Sequence, residues 1–136
     1  MVGEIEGFSH SELLELFLEE YCEILETYSN ALNSLRYSLD PSRRKDAYDD
    51  VFRVFHTLKG TGAFFPELEN LTSFAKKSCE YFRNFEEENS SNETLYRWTR
   101  IAFSQISSAK SAIEKRGNVN GYIFHAPPES LNYLVD

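Results

Sequence analysis

The sequence predicts an all-α fold, an antiparallel up-and-down four-helix bundle with a C-terminal tail, on three observations. Apolar residues recur at three- and four-residue steps over four separate segments, the period of a helix with one buried stripe. Capping residues, prolines or a glycine stand at most ends of those segments. No run of alternating apolar and polar residues reads as a strand. Four amphipathic helices with short connections bury their stripes most simply against one another.

The first helix is predicted from about His10 to Arg36, where Leu13, Phe17, Tyr21, Ile24, Tyr28, Ala31 and Leu35 keep the period. Ser9 caps it, Glu12 is the reciprocal partner three residues on, and Phe8 is placed to staple onto Leu13. A second row, Leu14, Leu18, Leu25 and Leu32, widens the stripe, as expected of a helix covered on more than one side. Pro41 then breaks the chain, since it lacks a donor and drives Asp40 out of helical geometry. The second helix is predicted from near Ser42 to Thr61 with Ala47, Val51, Phe55, Leu58 and Gly62 in one arc. Propensity falls at Gly60-Thr61-Gly62-Ala63, and Pro66 suits the first turn of a third helix running to Phe85. Leu68, Leu71, Ala75, Cys79 and Phe82 are its inward set. A polar connection, 86–92, follows, and Ser90 with Glu93 has capping-box spacing. The fourth helix carries Leu95, Trp98, Ala102, Ile106, Ala109 and Ile113 inward, with Lys115 and Arg116 in its last turn and Gly117 as its stop.

After Gly117 the periodicity dissolves. Domain boundaries are therefore set at 8–117 for the bundle and 118–136 for a tail or linker, with a short helix over Ser130 to Val135 as one option. Two readings stand for that stretch: a tail folded along the bundle, or the start of a linker.

Composition narrows the function. The 136 residues carry 14 Lys+Arg against 22 Asp+Glu, a net charge of −8, which speaks against nucleic acid, whose phosphates demand a basic stripe. No apolar run approaches the roughly 20 residues that span a bilayer, and the first ten residues have neither the basic nor the apolar part of a signal peptide. The expectation is a cytoplasmic single domain without a membrane partner. Cys22 and Cys79 read as two buried thiols on apolar helix faces. With His10, His56 and His125 scattered, neither a metal site nor a cofactor is expected.

One constellation stands out on the second helix: Val54-Phe55-His56-Thr57-Leu58-Lys59-Gly60. At about 100° per residue, His56 falls about 140° from the Val51–Leu58 centre, on the outer side. Imidazole is a nucleophile at neutral pH. Lys59, one turn on, can place an ammonium near an anion carried by the ring. Gly60 leaves the ring open, because residues four apart are helix neighbours and a bulky one would crowd it. Gly62 allows a neighbouring element to come close. A His with a Lys three residues later also arises by chance on many helices, but a mid-helix glycine costs about 1 kcal/mol and asks for a reason.

Phe52-Arg53-Val54-Phe55-His56-Thr57-Leu58-Lys59-Gly60 resembles the signature of histidine phosphotransfer domains, a family that includes stand-alone phosphotransfer proteins and the N-terminal domain of chemotaxis histidine kinases. The first segment, from Glu12 through Leu32, is similar to that family's opening helix, and Asp40-Pro41 to its usual break. The resemblance implies that His56 accepts a phosphoryl group and exchanges it with an aspartate of a response-regulator receiver domain. By the same resemblance Lys59 stabilises the phosphoryl group and Gly60 provides clearance. The chain is then a carrier rather than an enzyme, with the acidic pocket and metal ion belonging to the partner. Where chemotaxis kinases carry a His and a Glu on the third helix, this chain has Lys76 and Cys79, and Ala63 and Pro66 stand where the family often has glycines.

The partner face is expected around Phe52, Arg53, Ala63, Phe64 and Lys76, a basic patch with apolar neighbours suited to an acidic receiver pocket. A histidine kinase is the other expected partner, and a histidine on a free face needs no dimer, so a monomer is expected. The alternative is a non-phosphorylated helical adaptor that docks receiver or kinase domains. No carboxylate pair, nucleophile–base pair or glycine-rich phosphate loop points to a self-contained enzyme.

Overall fold

Four α-helices carry the chain in the computed structural model, which describes residues 7–84 and 93–127. They are α1 (His10–Tyr37), α2 (Pro41–Gly62), α3 (Glu69–Arg83) and α4 (Glu93–Arg116), with one 3₁₀ turn, Pro66–Leu68, leading into α3. The described residues hold no strand. Packed as an antiparallel bundle, α1 lies on α2, α2 on α3, and α4 returns to α1.

The ends form as their residues dictate. The Ser9 hydroxyl accepts from Glu12 N at 3.2 Å and the Glu12 carboxylate accepts from Ser9 N at 3.1 Å, closing the capping box. Asp40, extended at φ −67° and ψ 117°, accepts from Ser42 N at 3.2 Å, and Pro41 takes the first helical position, where it has no hydrogen bond to lose. The Arg44 guanidinium donates to the Leu35 and Ser38 carbonyls, so one side chain of α2 satisfies the open end of α1. Gly117, at φ +75°, ends α4 in the left-handed region that favours glycine.

Nearly all of the inward set is buried. Phe17, Tyr21, Ile24, Tyr28, Ala31 and Leu35 of α1 meet Ala47, Val51, Phe55 and Leu58 of α2 and all six expected residues of α4. Phe55 is the hub, with ring contacts to Tyr28 (5.8 Å), Phe74 (5.8 Å), Trp98 (6.0 Å) and Phe82 (6.1 Å). Two buried phenols sew α1 to α4: Tyr21 donates to Ile106 O and Tyr28 to Thr99 O, each at 2.6 Å. At Gly62 α2 lies tight against α3, since a Cβ there would stand 2.6 Å from Thr72 Cγ2.

Several expectations need correction. Cys22 is exposed, because it follows Tyr21 by about 100° of helix and falls outside the buried arc, while Cys79 is buried as expected. Leu13 and Phe82 are half-buried rather than fully inward, and so is the second row, Leu14, Leu18, Leu25 and Leu32. Pro66 starts a 3₁₀ turn instead of the α-helix itself, because Leu68 at φ −107° and ψ 18° interrupts the helical path. Phe85, the Ser90 cap and the 130–135 helix lie outside the described residues.

Residues 118–127 lie along the bundle. Val119 is buried, Tyr122 donates from its hydroxyl to Gln105 O at 3.2 Å, and Phe124 stacks on Phe74 at 4.7 Å.

Candidate functional site

α2 brings His56 to the surface with its ring exposed and tilted 34° to Phe52, 6.1 Å between centroids. Its position follows from the helical period: Val54, Phe55 and Leu58 take the buried arc, and the residue between them must project outward. Among the described residues the imidazole makes no hydrogen bond with another side chain or backbone group, so both ring nitrogens face solvent.

Lys59 is half-buried on the α3 side of α2, where its charge reaches the buried Cys79 thiol, as does that of Arg83. Burial pushes the Cys79 thiol above its ordinary range, and Lys59 and Arg83 pull against that. Cys79 therefore stays a neutral, inward-packed group at neutral pH. Two cations flank it on the solvent side. The Arg83 guanidinium sits 5.9 Å over the Phe52 ring, so Phe52 touches both His56 from its own helix and Arg83 from α3. An anion placed on the imidazole would find Lys59 one turn away and Arg83 across one aromatic ring.

Gly60 opens onto empty space, since nothing lies within 4 Å of a Cβ built there. It is thus free of any packing duty, unlike Gly62. Arg53, one turn before His56, pairs with Asp50 and lines the shallow seam between α1 and α2. Ala63 closes the end of α2 and is exposed. Phe64 is 63% exposed and belongs to a separate open groove with Leu13, Leu16, Phe17, Glu20 and Phe65. Lys76 is exposed on α3, one turn before Cys79.

The structure therefore gathers His56, Phe52, Lys59 and Gly60, while Phe64 lines the α1–α2 groove. Sequence reasoning missed Arg83. The spacing by three and four residues puts Lys76, Cys79 and Arg83 on one face of α3, but nothing local in the sequence ties that face to His56. Among the described residues no group of His, Cys, Asp and Glu is placed to hold a metal ion. No helix among them is long and apolar enough to cross a membrane.

Residues 12–109 match the sequence model of the Hpt domain. No curated protein and no solved structure matches the chain. The family match spans all four helices, and with it the chain belongs to the Hpt, or histidine phosphotransfer, domain family, whose members carry phosphoryl groups in two-component signalling.

Proposed function

We propose that the domain is a cytoplasmic, monomeric phosphocarrier that accepts a phosphoryl group on His56 and exchanges it with an aspartate of a receiver domain. One observation carries the reading: His56 is exposed and unbonded on a helix face with Lys59 one turn on, a glycine opening onto solvent, and Phe52, over whose ring Arg83 sits.

The chemistry follows from those groups. A ring nitrogen of neutral imidazole attacks the phosphorus of an aspartyl phosphate, the P–O bond to the aspartate breaks, and its carboxylate leaves with the electron pair. The resulting phosphoramidate carries negative charge that Lys59 holds and Arg83 supports through its place over Phe52. Return transfer runs the same step backward. Gly60 contributes space, letting the partner's acidic pocket and its metal ion reach the ring. Phe52, Arg53, Ala63 and Lys76 are the docking perimeter in this reading, with Phe64 outside it in the separate α1–α2 groove, and the domain supplies no cofactor of its own.

The test is direct. The protein is incubated with an active histidine kinase and ATP, or with a phosphorylated receiver, and assayed for acid-labile, alkali-stable label. Label is expected on the wild type and absent from His56→Gln. Lys59→Ala is expected to slow transfer while leaving helicity unchanged. Label that persists in His56→Gln assigns the acceptor elsewhere. An unlabelled wild type, with the donor demonstrably phosphorylated, favours the adaptor instead.

A further inference from the structure

α3 and α4 bring their backbones close at fewer places than α1–α2, α2–α3 or α1–α4 do. Large rings fill the seam between them: Phe74, Tyr81 and Phe82 of α3 against Trp98 of α4. Bulky side chains hold two helices apart and leave a furrow along their outer edge. Residues 118–127 run along that furrow.

Two glycines steer the chain into it, Gly117 at φ +75° and Gly121 at φ +80°, both in the region closed to most side chains. Beyond Gly121 the residues alternate. Tyr122 and Phe124 are half-buried, whereas Ile123 is 81% exposed and His125 is exposed, the two-residue period of an extended segment with one face down. Phe124 stacks on Phe74 at 4.7 Å, and the Tyr122 ring lies tilted against it at 4.6 Å. Gln105 of α4 anchors the segment twice, through its backbone carbonyl to the Tyr122 hydroxyl and through its side-chain oxygen to His125 N at 2.6 Å. On the other bank Asn70 of α3 donates to Val119 O and Tyr122 O at 3.4 and 3.5 Å, and Glu67 O accepts from Val119 N at 3.4 Å.

We propose that residues 118–127 are an intramolecular strap that closes the α3–α4 seam in cis and is released as one unit. Its bonds reach both α3 and α4, so closure adds a polar tie between two helices that otherwise meet through their aromatic rings. Of its residues, Val119 alone is fully buried; from Gly121 on the side chains are half-buried or exposed, and the bonds to the α3 side are long, which places the segment at the low-stability end of the molecule. Release bares Phe74, which also meets Phe55, the residue that precedes His56, in an edge-on contact at 5.8 Å. The strap stands whether or not His56 carries phosphate, because no contact in it involves that residue.

Amide hydrogen exchange on the full chain tests it. Val119, Tyr122 and His125, whose amides are bonded, are expected to exchange at least about tenfold more slowly than free chain, yet faster than the centres of α1 and α2. Tyr122→Ala with Phe124→Ala should abolish that protection, leave helicity in place and raise binding of an apolar dye to the bared Phe74. Ile123→Ala, on the outward register, should change neither. Tyr122→Phe removes only the hydroxyl bond to Gln105 O, and its graded loss of protection keeps the test valid if the double variant unfolds. Free exchange at all three amides in the wild type overturns the strap. So does an Ile123→Ala effect equal to that of Phe124→Ala.

Discussion

Two glycines two residues apart do opposite work, and the difference lies in what a methyl group would meet. A Cβ at Gly60 enters open space, so Gly60→Ala should stabilise the fold by about 0.5–1 kcal/mol through helix propensity alone. If clearance beside His56 is its purpose, the same variant should transfer phosphate more slowly while unfolding at higher urea. A Cβ at Gly62 lands on Thr72 Cγ2, and Thr72 is held by its hydroxyl bond to Glu69 O at 3.0 Å. Gly62→Ala should therefore destabilise by about 1–2 kcal/mol, as Thr72 gives up that bond or α3 shifts outward. Urea unfolding of the two variants side by side reads both signs. The motif around His56 was legible because the helical period is local: once Val51, Phe55 and Leu58 face in, His56 must face out. Arg83 was not legible as its companion, because 27 positions of chain separate them and only the packing of α3 on α2 lays that guanidinium over Phe52.

Among the elements, α1 shows how much a cap contributes to a helix whose exposed face is acidic. Glu12, Glu15, Glu19, Glu20, Glu23 and Glu26 are exposed along it, and only those nearest the N-terminus gain from the helix dipole. The reciprocal Ser9–Glu12 bonds hold that first turn, beside which His10 reaches the Glu67 carboxylate and packs edge-on against Phe65. Ser9→Ala should cost about 1 kcal/mol and speed amide exchange in the first turn of α1, with α3 unaffected. Equal loosening of both helices would show that the cap supports the whole bundle rather than one end. The capping box was readable from a spacing of three residues. The 3₁₀ turn at Pro66–Leu68 was not, because the path between α2 and α3 is bent by how closely Gly62 lets them approach.

For the whole molecule, the aromatic share of the composition becomes a pH limit. Burial pushes the phenols of Tyr21, Tyr28, Tyr48 and Tyr81 above their ordinary value of 10.0. Well below pH 10 folded and unfolded chains both keep these protons, so the tyrosines leave stability unchanged there, and only the Cys79 thiol, raised from its ordinary 9.0, begins to lower it. Above about pH 10 the unfolded chain releases the tyrosine protons and the folded chain does not, so stability falls by about 1.4 kcal/mol per pH unit for each such tyrosine. Urea midpoints should fall gently from about pH 9 as the Cys79 thiol begins to count and steeply above about pH 10, and Tyr21→Phe should make the steep drop shallower while costing about 1 kcal/mol at neutral pH for its bond to Ile106 O. A midpoint that holds through pH 11 would mean these phenols are wetter than the structure has them. By itself the sequence determined the helix count, the buried stripes, the caps and the outward place of His56, because each depends on residues within a few turns of one another. The tertiary structure alone decided that the charges of Lys59 and Arg83 reach one thiol and that residues 118–127 alternate along the α3–α4 seam. Those depend on which helix faces meet and how far apart the aromatics hold them, and no local period encodes that.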